Sequence, residues 1–192
     1  ITGTATVCEG ATTTLANATS GGTWSSSGSA ASIDPSTGVI TGIGAGTATI
    51  SYILSATSCY RTVVATVNAL PAVITGTATV CVGSATTLAN TTTGGTWSST
   101  FPMIATISSA GVVTGMNVGT TEVSYTLATG CRRTQLVTVN PTPAAITGTL
   151  AVCAGSGVTL ASTTTGGVWT SSATGVATVG ASSGLSLIHI SQ

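Results

Sequence analysis

The sequence has very few charged residues and no lysine. Only 3% of its 192 residues carry charge, and the formal net charge is +0. The charged residues are Arg61, Arg132, Arg133, Glu9, Asp34 and Glu122. Nucleic acids and anionic membranes are bound through basic patches that replace their counterions, so we expect neither partner. The polar surface comes instead from 43 threonines and 24 serines.

Groups that could perform catalysis or bind metal are equally scarce. The single histidine is His189, and no nucleophile, base and orienting group can be assembled from so few acids and one imidazole. Calcium needs several convergent oxygen ligands, and zinc sites need closely spaced Cys or His ligands, so we expect no metal or other cofactor. The sequence therefore predicts a protein that is not an enzyme.

Long apolar runs are absent too. No run reaches the roughly 18 residues typical of a membrane-spanning helix, so no span is expected in this segment. The chain begins at Ile1 with neither a methionine nor a signal peptide, which predicts a mature segment or a fragment of a longer protein.

Repetition is the dominant positive feature. ITGTATVCEG begins at Ile1, ITGTATVCVG at Ile74 and ITGTLAVCAG at Ile146, a period of about 72 residues. Repetition at this length predicts an array of small domains. The predicted modules are residues 1–73, residues 74–145 and a truncated third module at residues 146–192.

Alternating apolar and polar residues predict β-strands. In TATISYIL, for example, Ala48, Ile50 and Tyr52 would face one way, and no segment has a sustained helical period. Seven short strands are predicted in the first module, near residues 4–8, 12–17, 23–26, 31–33, 38–41, 47–54 and 61–68. This pattern is typical of a β-sandwich. The joints NALPAV and NPTPAA are short and contain proline, so we expect them to be stiff.

Five cysteines occur at matched places in the repeats. Cys8 and Cys59 are separated by 51 positions and Cys81 and Cys131 by 50, so two disulfides within modules are the simplest pairing, with Cys153 left unpaired. Modules this small usually need such a covalent link. Disulfides would place the protein outside the cytoplasm. Free buried cysteines in a cytosolic protein are the alternative.

One tryptophan follows a Gly-Gly step in each repeat: Trp24, Trp97 and Trp169. Because its position is fixed, we interpret it as the core anchor of each module, the alternative being an exposed platform for sugar stacking. Sequons begin at Asn17 and Asn90, and O-linked glycosylation of the many hydroxyls is a further alternative. Asp34 precedes Pro35 and is explained by turn chemistry.

The string GTWSSS, the Ala31–Ile33 strand and STGVITGIGAGTATISY from Ser36 onward resemble the bacterial immunoglobulin-like domain, group 2. The second module matches with SAGVVTGMNVGTTEVSY from Ser109 onward. The resemblance implies tandem immunoglobulin-like β-sandwiches like those of large surface proteins of Bacteroidota-type bacteria. It also implies adhesion, spacing or fibre formation, and no catalytic residues.

The C-terminal tail, residues 185–192, departs from the repeat. SLIHIS resembles translated sequencing-adapter sequence, the alternative being a genuine variant terminus, and the third module is expected to lack its last three strands.

The neutral surface and the absence of lysine predict sheet edges open to self-association or covered by glycans. The leading functional hypothesis is a structural subunit of an extracellular or cell-surface filament, sheath or surface layer. The alternatives are the stalk of a large bacterial adhesin and a glycan-binding accessory module of a secreted enzyme.

Overall fold

Residues 1–188 of the chain fold into β-strands and the turns between them. A computed structural model describes residues 1–188, and these residues contain no helix, so the predicted all-β class is confirmed. The chain divides into two compact units, Ile1–Asn140 and a second that begins at Pro141. The first unit contains both of the complete repeats.

The first repeat forms seven strands, and all seven strand predictions are confirmed, with ends that differ by up to three residues. The strands are β1 (Thr6–Cys8), β2 (Thr12–Thr14), β3 (Gly22–Ser27), β4 (Ala31–Ile33), β5 (Val39–Gly42), β6 (Gly46–Leu54) and β7 (Tyr60–Asn68). The alternation of side chains in β6 and in the second half of β7 gives these strands one buried face and one half-buried face.

Two sheets make up this repeat. One has the strand order β1-β7-β6-β3 and the other β2-β5-β4. Strand β1 runs parallel to β7, whereas β6 is antiparallel to both β7 and β3. This division of strands between two sheets is that of an immunoglobulin-like sandwich. The apolar faces of both sheets form one cluster that includes Leu15, Ile40, Ile50 and Trp24.

The second repeat forms the same pair of sheets with one additional short strand. Its strands are β8 (Thr75–Gly76), β9 (Thr79–Cys81), β10 (Ala85–Ala89), β11 (Thr96–Ser99), β12 (Ala105–Ile107), β13 (Val112–Gly115), β14 (Gly119–Thr126) and β15 (Arg132–Asn140). The sheet orders are β11-β14-β15-β9 and β12-β13-β10-β8. A separate hydrophobic cluster fills this sandwich.

The Gly-Gly-x-Trp step has a structural explanation in both complete repeats. Trp97 lies opposite Tyr125 across β11 and β14, with ring centroids 4.8 Å apart and planes inclined by 57°. The Tyr125 hydroxyl accepts a hydrogen bond from Gly95 N at 3.0 Å and donates one to Thr92 O at 2.7 Å. A Cβ on Gly95 would overlap the tyrosine ring, so glycine is required there. Trp24 and Tyr52 repeat this arrangement in the first module.

The described part of the second unit, residues 141–188, contains one three-stranded sheet. Its strands are β16 (Gly157–Thr159), β17 (Ala177–Val179) and β18 (Leu185–Ile188), in the order β16-β18-β17. The prediction that this module lacks its last three strands is wrong for one of them, because Leu185–Ile188 takes the place that β5 and β13 occupy in the other repeats. Apolar residues at 185 and 187 preserve the alternation that a strand needs.

Candidate functional site: the junction between the first two repeats

The segment that joins the first two repeats is a linker with buried side chains and a restricted backbone. It runs from Asn68, the last residue of β7, to Ile74, and Pro71 and Ile74 within it are buried. Proline fixes its own backbone and restricts the residue before it, so this joint starts with few accessible conformations.

Side chains of the second repeat bind the linker backbone. Asn90 Nδ2 donates to Ala72 O at 2.6 Å, and Ala72 N donates to Thr92 Oγ1 at 2.9 Å. Thr92 N donates to Asn90 Oδ1 at 2.9 Å, which fixes the turn that carries both side chains. Arg133 Nε donates to Pro71 O at 3.2 Å. Three side chains of the second repeat therefore satisfy three backbone polar groups of the linker.

A disulfide crosses the same junction. Cys8 of the first repeat is bonded to Cys131 of the second, with Cα atoms 5.6 Å apart. Cys8 lies beside Asn68 in the β1–β7 register, and Cys131 precedes β15. The Cys131 side chain is 1% exposed, and its Sγ lies 3.8 Å from Asn68 O. This contact is not a hydrogen bond, because a disulfide sulfur carries no proton. The bond therefore joins the end of the first sandwich at which β7 finishes to the end of the second sandwich at which β15 begins.

The predicted pairing of Cys8 with Cys59, and of Cys81 with Cys131, is therefore wrong. Cys8 is in register with Asn68, whereas Cys59 precedes Tyr60 at the opposite end of the nine-residue strand β7. At about 3.3 Å per residue, the two cysteines of one repeat are roughly 30 Å apart. Disulfides need Cα atoms closer than about 7 Å. The second repeat has the same geometry, because Cys81 is in register with Asn140 at the far end of β15.

Three cysteines remain as thiols: Cys59, Cys81 and Cys153, all exposed. Cys59 lines an open cavity of about 190 Å³ in the first repeat, together with Asn17, Thr19 and Arg61. Cys153, predicted to be unpaired, has no partner in the described part of the chain.

The three tryptophans differ in exposure. Trp24 is 6% exposed, whereas Trp97 and Trp169 are half-buried. Each of the latter two lines an open cavity, of about 400 Å³ beside Trp97 and about 410 Å³ beside Trp169. Trp24 belongs to the buried cluster of the first repeat, and Trp97 packs against the buried cluster of the second.

The remaining candidates are explained locally. Asp34 Oδ1 accepts hydrogen bonds from Thr37 N at 2.8 Å, Ser36 Oγ at 2.8 Å and Ser36 N at 3.0 Å. These bonds hold the pKa of Asp34 well below its usual range.

His189 lies outside the described residues. Within residues 1–188, no group of three or more Cys, His, Asp or Glu side chains is arranged to hold a metal, and no helix is long and apolar enough to cross a membrane.

Comparison with known proteins yields distant structural similarities. No protein-family model matches the chain, and no curated protein matches it significantly. It is similar to the C-terminal 282-residue fragment of intimin in complex with the intimin-binding domain of the translocated intimin receptor, at 16% identity and a TM-score of 0.38. That match covers 73% of this chain and 60% of the intimin chain.

Two further similarities extend over most of the chain. Domains 1–6 of the surface layer protein SbsC match 88% of it at 19% identity and a TM-score of 0.28, and the chain spans 28% of that protein. Mouse protocadherin-24 EC1-3 matches 97% of it at 15% identity and a TM-score of 0.31, with 83% of that chain covered. The immunoglobulin-like assignment rests on the strand order of the two complete repeats.

The two sequons of the sequence also carry a signal for the junction. Asn17 and Thr19, shortly after β2, recur as Asn90 and Thr92, which follow β10. In the second repeat, Asn90 and Thr92 bind the linker backbone.

Proposed function

We propose that this chain is a non-enzymatic structural segment of an extracellular or cell-surface assembly, such as a filament, sheath or surface layer. In this proposal it is built from tandem group 2 bacterial immunoglobulin-like modules. The observation that carries the proposal is the junction, where Cys8–Cys131 and the linker hydrogen bonds join two sandwiches into one compact unit. A covalent link between successive domains transmits tension along an array without relying on a noncovalent interface. It also requires an oxidising compartment.

The sheet edges support self-association. The outermost strands of the four sheets in the first unit contain neither charged residues nor proline; these strands are β1, β2, β3, β4, β8, β9, β11 and β12. Soluble β-proteins commonly protect such edges with charges, proline or bulges. Here the edge chemistry is hydroxyl-rich and neutral, which favours packing against other copies.

Exposed apolar side chains recur with the repeat. Val64 on β7 is 57% exposed, and Leu136, at the equivalent place on β15, is 59% exposed. Ile43 and Met116 form a second equivalent pair, both largely exposed. Recurrent apolar positions on an array present the same contact at every period, which suits lateral association between chains.

Electron microscopy of the native material tests this proposal. Long regular fibres or sheets are expected, and assembly of the purified chain should persist at high salt because charge contributes little to its surface. Isolated, unassociated particles at high concentration would contradict the structural-subunit proposal and favour the adhesin-stalk alternative. Glu substitution at both Val64 and Leu136 should weaken lateral association, whereas Gln at Glu9 serves as a matched exposed control.

A glycan-binding role is the second candidate, and the cavities beside the half-buried indoles favour it. Sugars stack on aromatic faces, and Trp97 and Trp169 line open cavities whereas Trp24 is buried. Titration with an oligosaccharide panel, followed by tryptophan fluorescence, should then show a saturable change that Trp169→Phe reduces. No saturable change across the panel would eliminate this candidate.

A further inference from the structure

The first repeat carries the same linker-binding surface that the second repeat uses at the junction. The residues Asn17, Thr19, Cys59 and Arg61 correspond by repeat position to Asn90, Thr92, Cys131 and Arg133. We call the first four residues the Cys59 socket. All four line the 190 Å³ cavity of the first repeat.

The turn of the Cys59 socket already has the geometry of its occupied counterpart. Thr19 N donates to Asn17 Oδ1 at 2.9 Å, the same distance as in the Asn90–Thr92 turn. Tyr52 Oη donates to Thr19 O at 2.7 Å, as Tyr125 does to Thr92 O. No rearrangement of this turn is needed for it to bind a linker.

The groups that would bind a linker have no partner in the socket. In the second repeat Asn90 Nδ2, Thr92 Oγ1 and Arg133 Nε all bond the linker. Across residues 1–188, the Asn17 amide nitrogen, the Thr19 hydroxyl and the Arg61 guanidinium make no such bond, and Cys59 is an exposed thiol. The socket thus offers the Asn17 amide, the Thr19 hydroxyl, the Arg61 guanidinium and the Cys59 thiol. The corresponding four groups of the second repeat all have partners at the junction.

We propose that the Cys59 socket binds the carboxyl end of another module of this type and that Cys59 forms a disulfide with that module's Cys8-type cysteine. The incoming linker would supply a prolyl carbonyl to Arg61 and an alanine N–H and C=O to Thr19 and Asn17. Both thiols lose a proton and together give up two electrons to a disulfide oxidant such as oxidised glutathione. The oxidant is reduced to two thiols as the new S–S bond forms.

Cys81 is the Cys8-type cysteine of the second repeat, the other kind of cysteine that such a bond between modules needs. It lies in register with Asn140 as Cys8 does with Asn68, and it is exposed. The same pairing rule would join it to a Cys131-type cysteine. Each module therefore carries its two cysteine types at opposite ends, so that disulfides can join only successive modules. The biological consequence rests on the proposed structural role, but disulfide connectivity can be measured independently of that role.

An extended chain tests the proposal. A second copy of residues 1–73 is placed before Ile1, so that its Val73 precedes Ile1 as Val73 precedes Ile74 in the native chain. The added copy carries Cys59→Ser, which leaves one Cys59, and Glu9→Asp, which marks its Cys8 peptide by mass. After oxidation in a glutathione buffer, non-reducing peptide mapping should link the marked Cys8 to Cys59 while Cys8 of the original copy remains linked to Cys131.

Two outcomes would overturn the proposal. One is that the marked Cys8 and Cys59 both remain thiols while the native Cys8–Cys131 bond forms. The other is that Cys59 bonds to the unmarked Cys8 of its own module. Either outcome leaves the surface-assembly proposal to be judged by its imaging experiment.

Hydrogen exchange tests the noncovalent part of the socket. With Cys59→Ser in the original copy as well, the Ala72 amide of the added copy should still be protected, because Thr19 Oγ1 accepts from it. Thr19→Val should lower that protection roughly fivefold to tenfold, the effect of one lost hydrogen bond. Thr13→Val, on strand β2, also removes one hydroxyl hydrogen bond, to Thr4 O, and as the matched control it should leave the protection of Ala72 unchanged. Equal exchange in all variants would refute docking in the socket.

Discussion

Removal of the disulfide between the repeats should reduce stability more than removal of any other cysteine. Cys8 and Cys131 are 123 positions apart, so the bond closes a long loop in the unfolded chain. In the chain-entropy model a loop of this length loses about 16 cal/mol/K of entropy, equivalent to about 5 kcal/mol at 25 °C. A bond within one repeat would have closed a loop of roughly 50 residues, for which the same model gives about 4 kcal/mol.

Cys8→Ala is the informative variant, and Cys81→Ala is its matched control. The two cysteines occupy equivalent positions at the ends of β1 and β9, but Cys81 is an exposed thiol. We expect Cys8→Ala to lower the free energy of unfolding by up to about 5 kcal/mol. Cys81→Ala should change it by less than about 0.5 kcal/mol, as is usual for an exposed site.

Urea unfolding of the full chain, followed by tryptophan fluorescence with and without reductant, measures both effects. Reduction of the native chain should reproduce the Cys8→Ala curve and leave the curve of that variant unchanged. If Cys8→Ala and Cys81→Ala unfold at the same urea concentration under oxidising conditions, the assigned pairing is refuted. An equal loss in Cys8→Ala and Cys59→Ala would instead indicate the bond within the repeat.

Three further predictions concern local structure. Tyr125→Phe should cost about 1–3 kcal/mol in urea unfolding, because the N–H of Gly95 and the C=O of Thr92 lose their buried partner. Gly95→Ala should cost about 1–3 kcal/mol by overpacking against the Tyr125 ring. Gly167→Ala should leave stability unchanged, because a Cβ there would meet nothing within 4 Å. Equal effects of Gly95→Ala and Gly167→Ala would contradict the overpacking explanation. The lowered pKa of Asp34 means that its carboxylate stabilises the fold at pH values above its unfolded pKa of about 3.8. This contribution is lost as the pH falls through the lower pKa of Asp34 in the folded state. Asp34→Asn should therefore reduce the acid sensitivity of unfolding below about pH 4, and an unchanged pH profile would contradict it.

The cysteine pairing illustrates what a repeat in the sequence can and cannot reveal. Repeat spacing identifies Cys8 and Cys81 as equivalent, and Cys59 and Cys131 likewise, but it fits bonds within a module and bonds between modules equally well. The parallel pairing of β1 with β7 decides between them, because it places Cys8 and Cys59 at opposite ends of one strand. That pairing joins residues about 60 positions apart and leaves no local signal. The seven strands of the first repeat, by contrast, follow from alternation and turn residues and were predictable.

The third repeat shows how far a strand depends on its partners. The segment AVC at Ala151 matches β1 and β9 almost letter for letter, and GGVW at Gly166 matches the start of β3 and β11, yet neither segment is a strand here. In the complete repeats, β1 and β9 pair with the last strand of the sandwich, and β3 and β11 pair with the strand before it. The described part of the second unit contains neither of these partners, whereas β16, β17 and β18 bond to one another and form. One sheet of this sandwich can therefore be assembled from the first half of the repeat, and the other requires the second half. A chain that continued with the sequence of β14 and β15 should convert both segments to strands, and hydrogen exchange at Val152 and Thr170 would detect that change.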